Sequence, residues 1–276
     1  MKKVSAVIVL GFLSLVCCNK PQEKSFPVAN EHHELKKVNT SVKMVYIPGG
    51  AYKPFYGADS AWVTVAPFLL DERPVTNKEF LDFVTANPSW RKSKIKSLFS
   101  DSTYLHDWPA DLELPPNANP NAPVCYVSWF AAKAFANSVG KRLPTLDEWE
   151  YVAMADSVSI NARSKPGYSD YIISLYLQKN RQFNPVKLST PNYWGVYNMF
   201  DLIWEWTDDF NSILTTSDSR VGEYDDKGLF CAGSATSATD ILNYAAFMRF
   251  ALRTTLRANY TVANLGFRCA KDSIMK

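Results

Sequence analysis

The sequence predicts a loop-rich α+β fold, and three kinds of pattern indicate it. Short runs of β-type composition recur along the chain and are bounded by turn residues such as those at 48–50. Capping residues precede apolar stretches with helical spacing at three places. Residues 85–122 are rich in Pro, Asn and Asp, which are typical of loops. Length and composition indicate a folded chain, because 276 residues with 47% hydrophobic and 14% aromatic content can bury one large core or two small ones.

The first residues have the features of a targeting segment. Two lysines precede an apolar run over residues 4–16, which is shorter than the about 20 residues that a membrane-spanning helix needs. The sequence LVCC at residues 15–18 has the pattern of a bacterial lipobox, with leucine three residues before the lipidated cysteine. We therefore predict a lipoprotein signal peptide over residues 1–18, lipidated at Cys18. Lipidation at Cys17 and an ordinary secretory leader are the alternatives.

The rest of the chain is predicted to be one domain on a tether. Residues 19–40 are polar and lack sustained periodicity, which predicts a flexible tether with a reach of roughly 25 Å. No Gly/Ser-rich or charged linker and no fixed-period repeat divides residues 41–276, so we expect a single domain there. Without the two leader lysines the formal charge falls from +3 to +1, which predicts no basic face and no nucleic-acid partner.

Four short segments are predicted to be strands from their β-type composition. They lie at residues 44–47, 63–65, 125–127 and 265–268. Within the third segment, Cys125 is expected to be a buried free thiol.

Three helix starts are predicted from capping residues. The TxxE spacing at Thr76 and at Thr145 is that of a capping box, in which a hydroxyl and a carboxylate satisfy two otherwise unpaired amides. Ser128 can cap a third helix, which Gly140 then ends because glycine tolerates a left-handed backbone. Asp147, Glu148 and Glu150 are expected on the exposed side of the helix that begins at Thr145.

Five ordered blocks carry a resemblance to a known family. They are residues 44–51 (MVYIPGGA), 63–81, 123–152, 185–207 and 264–270 (NLGFRCA). In order and spacing these blocks resemble the formylglycine-generating enzyme, or sulfatase-modifying factor, superfamily. The resemblance implies an α+β variant of the C-type lectin-like fold with little regular secondary structure.

The resemblance also places the family's catalytic centre. The family oxidises a substrate cysteine with molecular oxygen through two cysteines that bind copper(I), a soft ion that suits thiolates. In the family these cysteines follow the serine of a Gly-Gly-Ser turn by three and eight residues. The matching turn here ends at Ser234, which puts Ser237 and Leu242 at those positions, so no copper cofactor is expected. Trp206 and Ser234 match residues that line the family's oxygen pocket and are the candidate pocket residues.

Relatives in the superfamily also use metals. The family's calcium loop has an asparagine where this chain has Leu202, but Glu205 and the carbonyl of Ile203 remain candidate calcium ligands. Calcium prefers six to eight oxygen ligands, so the loss of one predicts a weakened site. The alternative role for Glu205 is packing in an aromatic turn. The histidines are too dispersed for the triad that holds iron in other relatives. They are His32, His33 and His106.

Three cysteines follow the leader, an odd number that leaves at least one unpaired in a monomer. In the family fold the segments that carry Cys231 and Cys269 lie close in one small sheet, and the usual partner of the closing cysteine is replaced here by Ala136. The resemblance and an oxidising compartment therefore favour a Cys231–Cys269 disulfide. A solvent-accessible thiol pair that holds copper is the alternative.

The resemblance extends to a non-catalytic branch. Residues 231–254 and 256–271 resemble a branch that lacks the catalytic pair and includes accessory proteins encoded with copper nitrite reductases. We therefore expect a lipid-anchored, non-catalytic accessory protein of the bacterial cell envelope with a protein partner there. The alternatives are an oxygen-dependent formylglycine-generating oxidase that acts on sulfatases and a structural lipoprotein of gliding or secretion machinery.

Overall fold

Short helices and strands joined by long loops make up the computed structural model, which describes residues 35–40, 42–55, 62–211 and 244–273. The strands are β1 (Met44–Ile47), β2 (Gly50–Tyr52), β3 (Val63–Val65), β4 (Phe68–Asp71), β5 (Trp204–Glu205), β6 (Leu265–Gly266) and β7 (Ala270–Asp272). The α-helices are α1 (Asn77–Ala86), α2 (Trp129–Ser138), α3 (Leu146–Ala153), α4 (Tyr168–Tyr176) and α5 (Tyr244–Thr255), with 3-10 helices at Pro88–Trp90 and Arg181–Phe183.

The mixed content of these elements confirms the predicted α+β class. All described residues belong to one unit, Leu35–Lys276. None of the helices in the described ranges is long and apolar enough to cross a bilayer. Several predicted features lie outside the described residues. They are the signal peptide with Cys18, residues 19–34 of the tether, Cys231, Ser234, Ser237 and Leu242.

Antiparallel pairing brings distant segments into the main sheet. Its strand order is β1-β4-β7, with Tyr46 opposite Leu69 and Leu70 opposite Ala270. Strands β2 and β3 form a separate antiparallel pair. The strands predicted at 44–47 and 63–65 are confirmed, whereas β6 covers only the first two residues of the predicted closing strand.

All three predicted helix starts are confirmed. Thr76 and Thr145 each accept a hydrogen bond from the amide three residues later, at 3.4 and 3.2 Å. The glutamate at that position accepts one from the threonine amide, at 2.9 and 2.8 Å. The Ser128 hydroxyl caps α2 in the same way. Gly140 follows α2 with φ of +68°, the left-handed conformation that its sequence position predicts.

Aromatic side chains fill the core in two main clusters. In the first, α1 and α2 meet through Phe80, Phe83 and Phe135, whose ring centroids lie 5.3 to 6.0 Å apart. Residues 264–270, which we call the closing segment, contribute Phe267. Its ring packs against that of Phe135 at a centroid distance of 5.3 Å. The second cluster packs α3 against the main sheet. Its members include Ile47, Phe68, Leu70, Trp149, Val152 and Phe200.

The prediction of a strand at residues 125–127 is wrong. Tyr126 has φ of +55°, a left-handed conformation that interrupts an extended strand. Its carbonyl accepts from the amide of Leu105, and its amide donates to the carbonyl of Val262, so its bonds go to two separate loops. The apolar composition of this segment therefore does not produce strand pairing, although it buries Val127.

The folded unit begins earlier than predicted, because residues 35–40 lie on the domain instead of in the tether. The amide of Lys36 donates to Oδ1 of Asn87 at 2.8 Å, and Nδ2 of Asn87 donates back to the Lys36 carbonyl at 3.2 Å. The amide of Val38 donates to the carbonyl of Ser138 at 3.1 Å, and the Val38 side chain packs against the α1–α2 cluster. The predicted domain boundary is therefore too late.

Candidate functional site

The strand pair β5–β6 joins two segments that are distant in the sequence. The strands are parallel, with Trp204 opposite Leu265 and Glu205 opposite Gly266. Only glycine fits at position 266, since a Cβ on Gly266 would lie 2.2 Å from the carbonyl oxygen of Val124. The pairing with Gly266 puts Glu205 beside the closing segment, and Glu205 is buried there.

The carboxylate of Glu205 forms a buried ion pair with Arg268. Arg268 donates from Nε to Oε2 at 2.7 Å and from Nη2 to Oε1 at 2.8 Å, while the indole of Trp149 donates to Oε2 at 2.8 Å. Nη2 of Arg268 also donates to the carbonyls of Tyr197 and Asn198, both at 3.0 Å. Both charged side chains are 0% exposed. The pair therefore ties α3, β5 and the closing segment together.

This arrangement does not fit the calcium site predicted at Glu205 and Ile203. A carboxylate ligand directs its oxygens at the cation, whereas both Glu205 oxygens accept hydrogen bonds from Arg268. Ile203 and Leu202 are buried with apolar side chains. Within the described ranges, no group of three or more His, Cys, Asp or Glu side chains could hold a metal ion. Within the described residues, Glu205 instead forms the buried ion pair with Arg268.

Trp206, one of the two candidate pocket residues, is a core side chain. It is 1% exposed, and its Nε1 donates to the carbonyl of Val127 at 2.9 Å. Its ring packs edge-on against Phe210 at a centroid distance of 5.0 Å. The other candidate, Ser234, lies outside the described residues, so a pocket formed by the two stays a prediction.

Neither described cysteine is an activated thiol. Cys269 is fully buried, and burial together with the Asp71 carboxylate raises the pKa of its thiol well above the usual range. Cys125 is half-buried rather than buried; its Sγ donates to the carbonyl of Pro123 at 3.9 Å, and burial raises its pKa as well. Neither forms a disulfide with another cysteine of the described ranges. Because Cys231 lies outside the described residues, its disulfide with Cys269 stays a prediction that non-reducing peptide mapping tests.

A second charged cluster, which we did not predict, joins α3 to α5. Glu150 accepts from Arg249 Nε at 3.0 Å and Nη2 at 2.7 Å, and from Arg253 Nη1 at 2.7 Å. Burial by itself would raise the pKa of Glu150, but the two guanidinium groups outweigh it and lower the pKa to about 2. The prediction that Glu148 and Glu150 lie on the exposed side of α3 is wrong, because both are buried. The i,i+4 spacing of the two arginines on one helix is the signal that could have indicated a shared partner.

This cluster borders a narrow cleft with aromatic walls, which we call the arginine cleft. Nη1 of Arg249 donates to the hydroxyl of Tyr176 at 3.2 Å, and the Tyr176 and Trp204 ring centroids lie 4.4 Å apart. The guanidinium of Arg253 lies 5.0 Å from the centroid of the Trp149 ring. The residues that line the cleft include Trp149, Tyr176, Trp204, Arg249, Leu252 and Arg253.

Comparison with known proteins gives matches over most of the chain. Residues 29–273 match the family model of the sulfatase-modifying factor enzyme 1-like domain. The chain is similar to the formylglycine-generating enzyme of Streptomyces coelicolor, with 27% identity over 283 residues that cover 83% of this chain and 89% of the relative. It is also similar to the inactive C-alpha-formylglycine-generating enzyme 2 of Bos taurus, with 27% identity over 280 residues, 84% of this chain and 89% of the relative.

Solved structures also align with this chain. The crystal structure of CarF is 16% identical with a TM-score of 0.44, and the alignment covers 84% of this chain and 99% of CarF. The structure of PvdO from Pseudomonas aeruginosa is 18% identical with a TM-score of 0.46, and the alignment covers 83% of this chain and 94% of PvdO.

Proposed function

This chain belongs to the sulfatase-modifying factor family, and from that premise we propose that it is an exported lipoprotein that acts as a non-catalytic accessory or binding protein in the cell envelope. The family match confirms the resemblance drawn from the five sequence blocks, and with it the formylglycine-generating enzyme fold. The proposed partner is an envelope protein, a copper or respiratory enzyme such as nitrite reductase.

The residues at the predicted catalytic positions carry this proposal. The family's two copper-binding cysteines correspond to Ser237 and Leu242 in this sequence. A hydroxyl and an isobutyl group cannot supply the soft thiolate ligands that copper(I) requires. Cys125 and Cys269 do not replace them, because their raised pKa values keep both thiols protonated near neutral pH.

Overall similarity does not separate an enzyme from a non-catalytic member. The formylglycine-generating enzyme of Streptomyces coelicolor and the inactive relative of Bos taurus are each 27% identical to this chain. The chemistry of the residues at the two catalytic positions is therefore the better guide, and it favours a protein without the family's oxidase activity.

An oxidation assay tests the absence of catalysis. The purified full chain is given copper(I), oxygen and a sulfatase-type peptide that contains Cys-X-Pro-X-Arg, and the mass of the peptide should stay unchanged. The Streptomyces coelicolor enzyme in a parallel reaction is the positive control. Conversion of the cysteine to formylglycine would overturn the proposal and establish the oxygen-dependent oxidase that acts on sulfatases.

The lipid anchor is tested at its two candidate cysteines. Lipidation at Cys18 is supported by the LVCC pattern at residues 15–18. Cys18→Ser should abolish metabolic fatty-acid labelling and release the protein from membranes, whereas Cys17→Ser should have a smaller effect. The reverse result would identify Cys17 as the acceptor. An unlabelled wild-type protein would show that the leader is an ordinary secretory one.

The proposed partner is supported by the resemblance of residues 231–254 and 256–271 to accessory proteins encoded with copper nitrite reductases. A tagged full chain, solubilised in mild detergent, should co-purify with a copper nitrite reductase from its own cells. Recovery of gliding or secretion components in its place would overturn this partner and favour a structural lipoprotein.

A further inference from the structure

The arginine cleft carries more positive charge than its carboxylates balance. Arg249 and Arg253 share the single carboxylate of Glu150. Glu205 also lines the cleft, but its charge is matched by Arg268. The described residues therefore leave one guanidinium charge uncompensated where the side chains of the cluster are only 5% to 8% exposed. Such a charge is costly unless a group of opposite sign approaches it.

Arg181 adds a further guanidinium beside the same aromatic walls. Its Nη1 donates to the carbonyl of Phe200, and it lies 5.3 Å from the ring centroid of Tyr176 and 5.7 Å from that of Trp204. Its bonds within the described part of the chain include no carboxylate, although the residue is only 3% exposed. Arg181 thus adds positive charge beside these two rings, which the nearby Asp201 carboxylate offsets in part without an ion pair.

The two arginines of α5 differ in how many of their donors are used. Arg249 donates through Nε, Nη1 and Nη2. Among the described residues, Arg253 donates only through Nη1, to Glu150. A guanidinium offers five N–H donors in a planar fork that matches the two oxygens of a carboxylate. Arg253 is therefore the residue that is equipped to receive a ligand.

We propose that the arginine cleft binds one carboxylate group, with Arg253 as its anchor. The cleft has room for about one water-sized group, so a carboxylate oxygen can enter while the atoms that bear it lie outside. The apolar side chains of Trp204 and Leu252 border the place where those atoms lie. The carboxylate belongs either to a free acid or to the C-terminus of a partner polypeptide, and the same contacts receive both.

Two matched probes test the site in the purified full chain. One is ¹³C-formate, whose resonance should broaden saturably on binding. The other is acetyl-Gly-Leu with a free C-terminus, which is compared with its C-terminal amide. Displacement of formate by the peptide acid, with the amide at least about tenfold weaker, assigns the site to a polypeptide terminus. Formate binding without displacement by the acid assigns it to a free acid. Displacement by chloride at the same concentration as the carboxylates would overturn the proposal.

Two variants locate the binding in the cleft. Arg253→Gln should weaken formate binding by about tenfold or more, because a charge-assisted hydrogen bond is lost. Leu252→Trp should block the cleft while the Glu150 ion pairs remain, so that a loss of binding does not depend on disturbing them. Arg257→Gln is the control, since Arg257 is exposed on the Tyr260 side and does not line the cleft. Unchanged affinity in either test variant, or no saturable binding to the wild type, would overturn the proposal.

Discussion

At the scale of single residues, the roles of two buried carboxylates depend on partners far away in the sequence. Glu205 pairs with Arg268 across 63 positions, and Glu150 pairs with Arg249 across 99. A glutamate that binds calcium and a glutamate that closes an internal ion pair can have the same neighbours in the sequence. Only the three-dimensional partner distinguishes them, which is why the sequence identifies Glu205 as a special residue but does not assign its role.

Replacing Arg268 should be strongly destabilising. Arg268→Met leaves the fully buried Glu205 carboxylate without its counter-charge, so the free energy of unfolding should fall by about 3–5 kcal/mol. The double variant Arg268→Met/Glu205→Leu should recover much of this loss, because no unpaired charge remains. Urea unfolding measures both, and Arg257→Met, at an exposed position, should stay within about 0.5 kcal/mol of the wild type. A double variant no more stable than Arg268→Met would contradict the explanation.

Glu150 should make the protein sensitive to acid. The pKa of Glu150 is about 2 in the folded state and 4.5 ordinarily, so between these values the unfolded state binds more protons. The stability that this ion pair contributes is therefore present above pH 4.5 and is lost as the pH falls through 2. The difference between the two pKa values of Glu150 corresponds to roughly 3 kcal/mol of unfolding free energy.

Urea unfolding at several pH values measures this contribution. In Glu150→Gln the side chain no longer titrates, so stability should fall less steeply between pH 4.5 and pH 2 than in the wild type. The exposed residue Asp82 provides the control, since Asp82→Asn should leave the slope nearly unchanged. Identical slopes for the wild type and Glu150→Gln would show that the ion pair does not lower the pKa of Glu150 in the folded protein.

At the scale of secondary-structure elements, the features that depend on a few neighbouring residues are predictable and the others are not. A capping box is complete within four residues, so the starts of α1 and α3 follow from the sequence. The apolar run at residues 125–127 lies in a partly buried loop whose bonds reach Leu105 and Val262, and nothing local signals this. Residues 35–40 are polar in composition, yet Asn87 and Ser138 hold their backbone on the domain.

The cap of α3 should make a measurable contribution to stability. Thr145→Ala removes the hydroxyl that accepts from the Glu148 amide and should cost about 1 kcal/mol. Thr85→Ala is the matched control, because Thr85 is exposed inside α1 and alanine is a better helix former there. Indistinguishable denaturant midpoints for the wild type and Thr145→Ala would argue that the cap contributes nothing.

At the scale of the whole molecule, two ion-pair networks hold α3 in place from different sides. One joins its Trp149 to Glu205 and the closing segment, and the other joins Glu150 to α5. The arginine cleft is lined by residues of both networks, so its walls are set by contacts that span most of the described chain. The family fold could be predicted from the order of the sequence blocks. The cleft could not, because its residues come from α3, α4, β5 and α5, which no local pattern connects.

This fold should begin at residue 35 and not at residue 41. Leu35 and Val38 pack against the α1–α2 cluster, and the backbone of this segment bonds to Asn87 and Ser138. A chain that starts at residue 41 should therefore unfold at lower urea concentration than one that starts at residue 35. Its free energy of unfolding should be lower by about 1–3 kcal/mol, because the partial burial of two aliphatic side chains is lost. Leu35→Ser/Val38→Ser in the longer chain keeps the backbone bonds and should reproduce most of the loss. Equal stability of the two shortened chains would show that residues 35–40 belong to the tether after all.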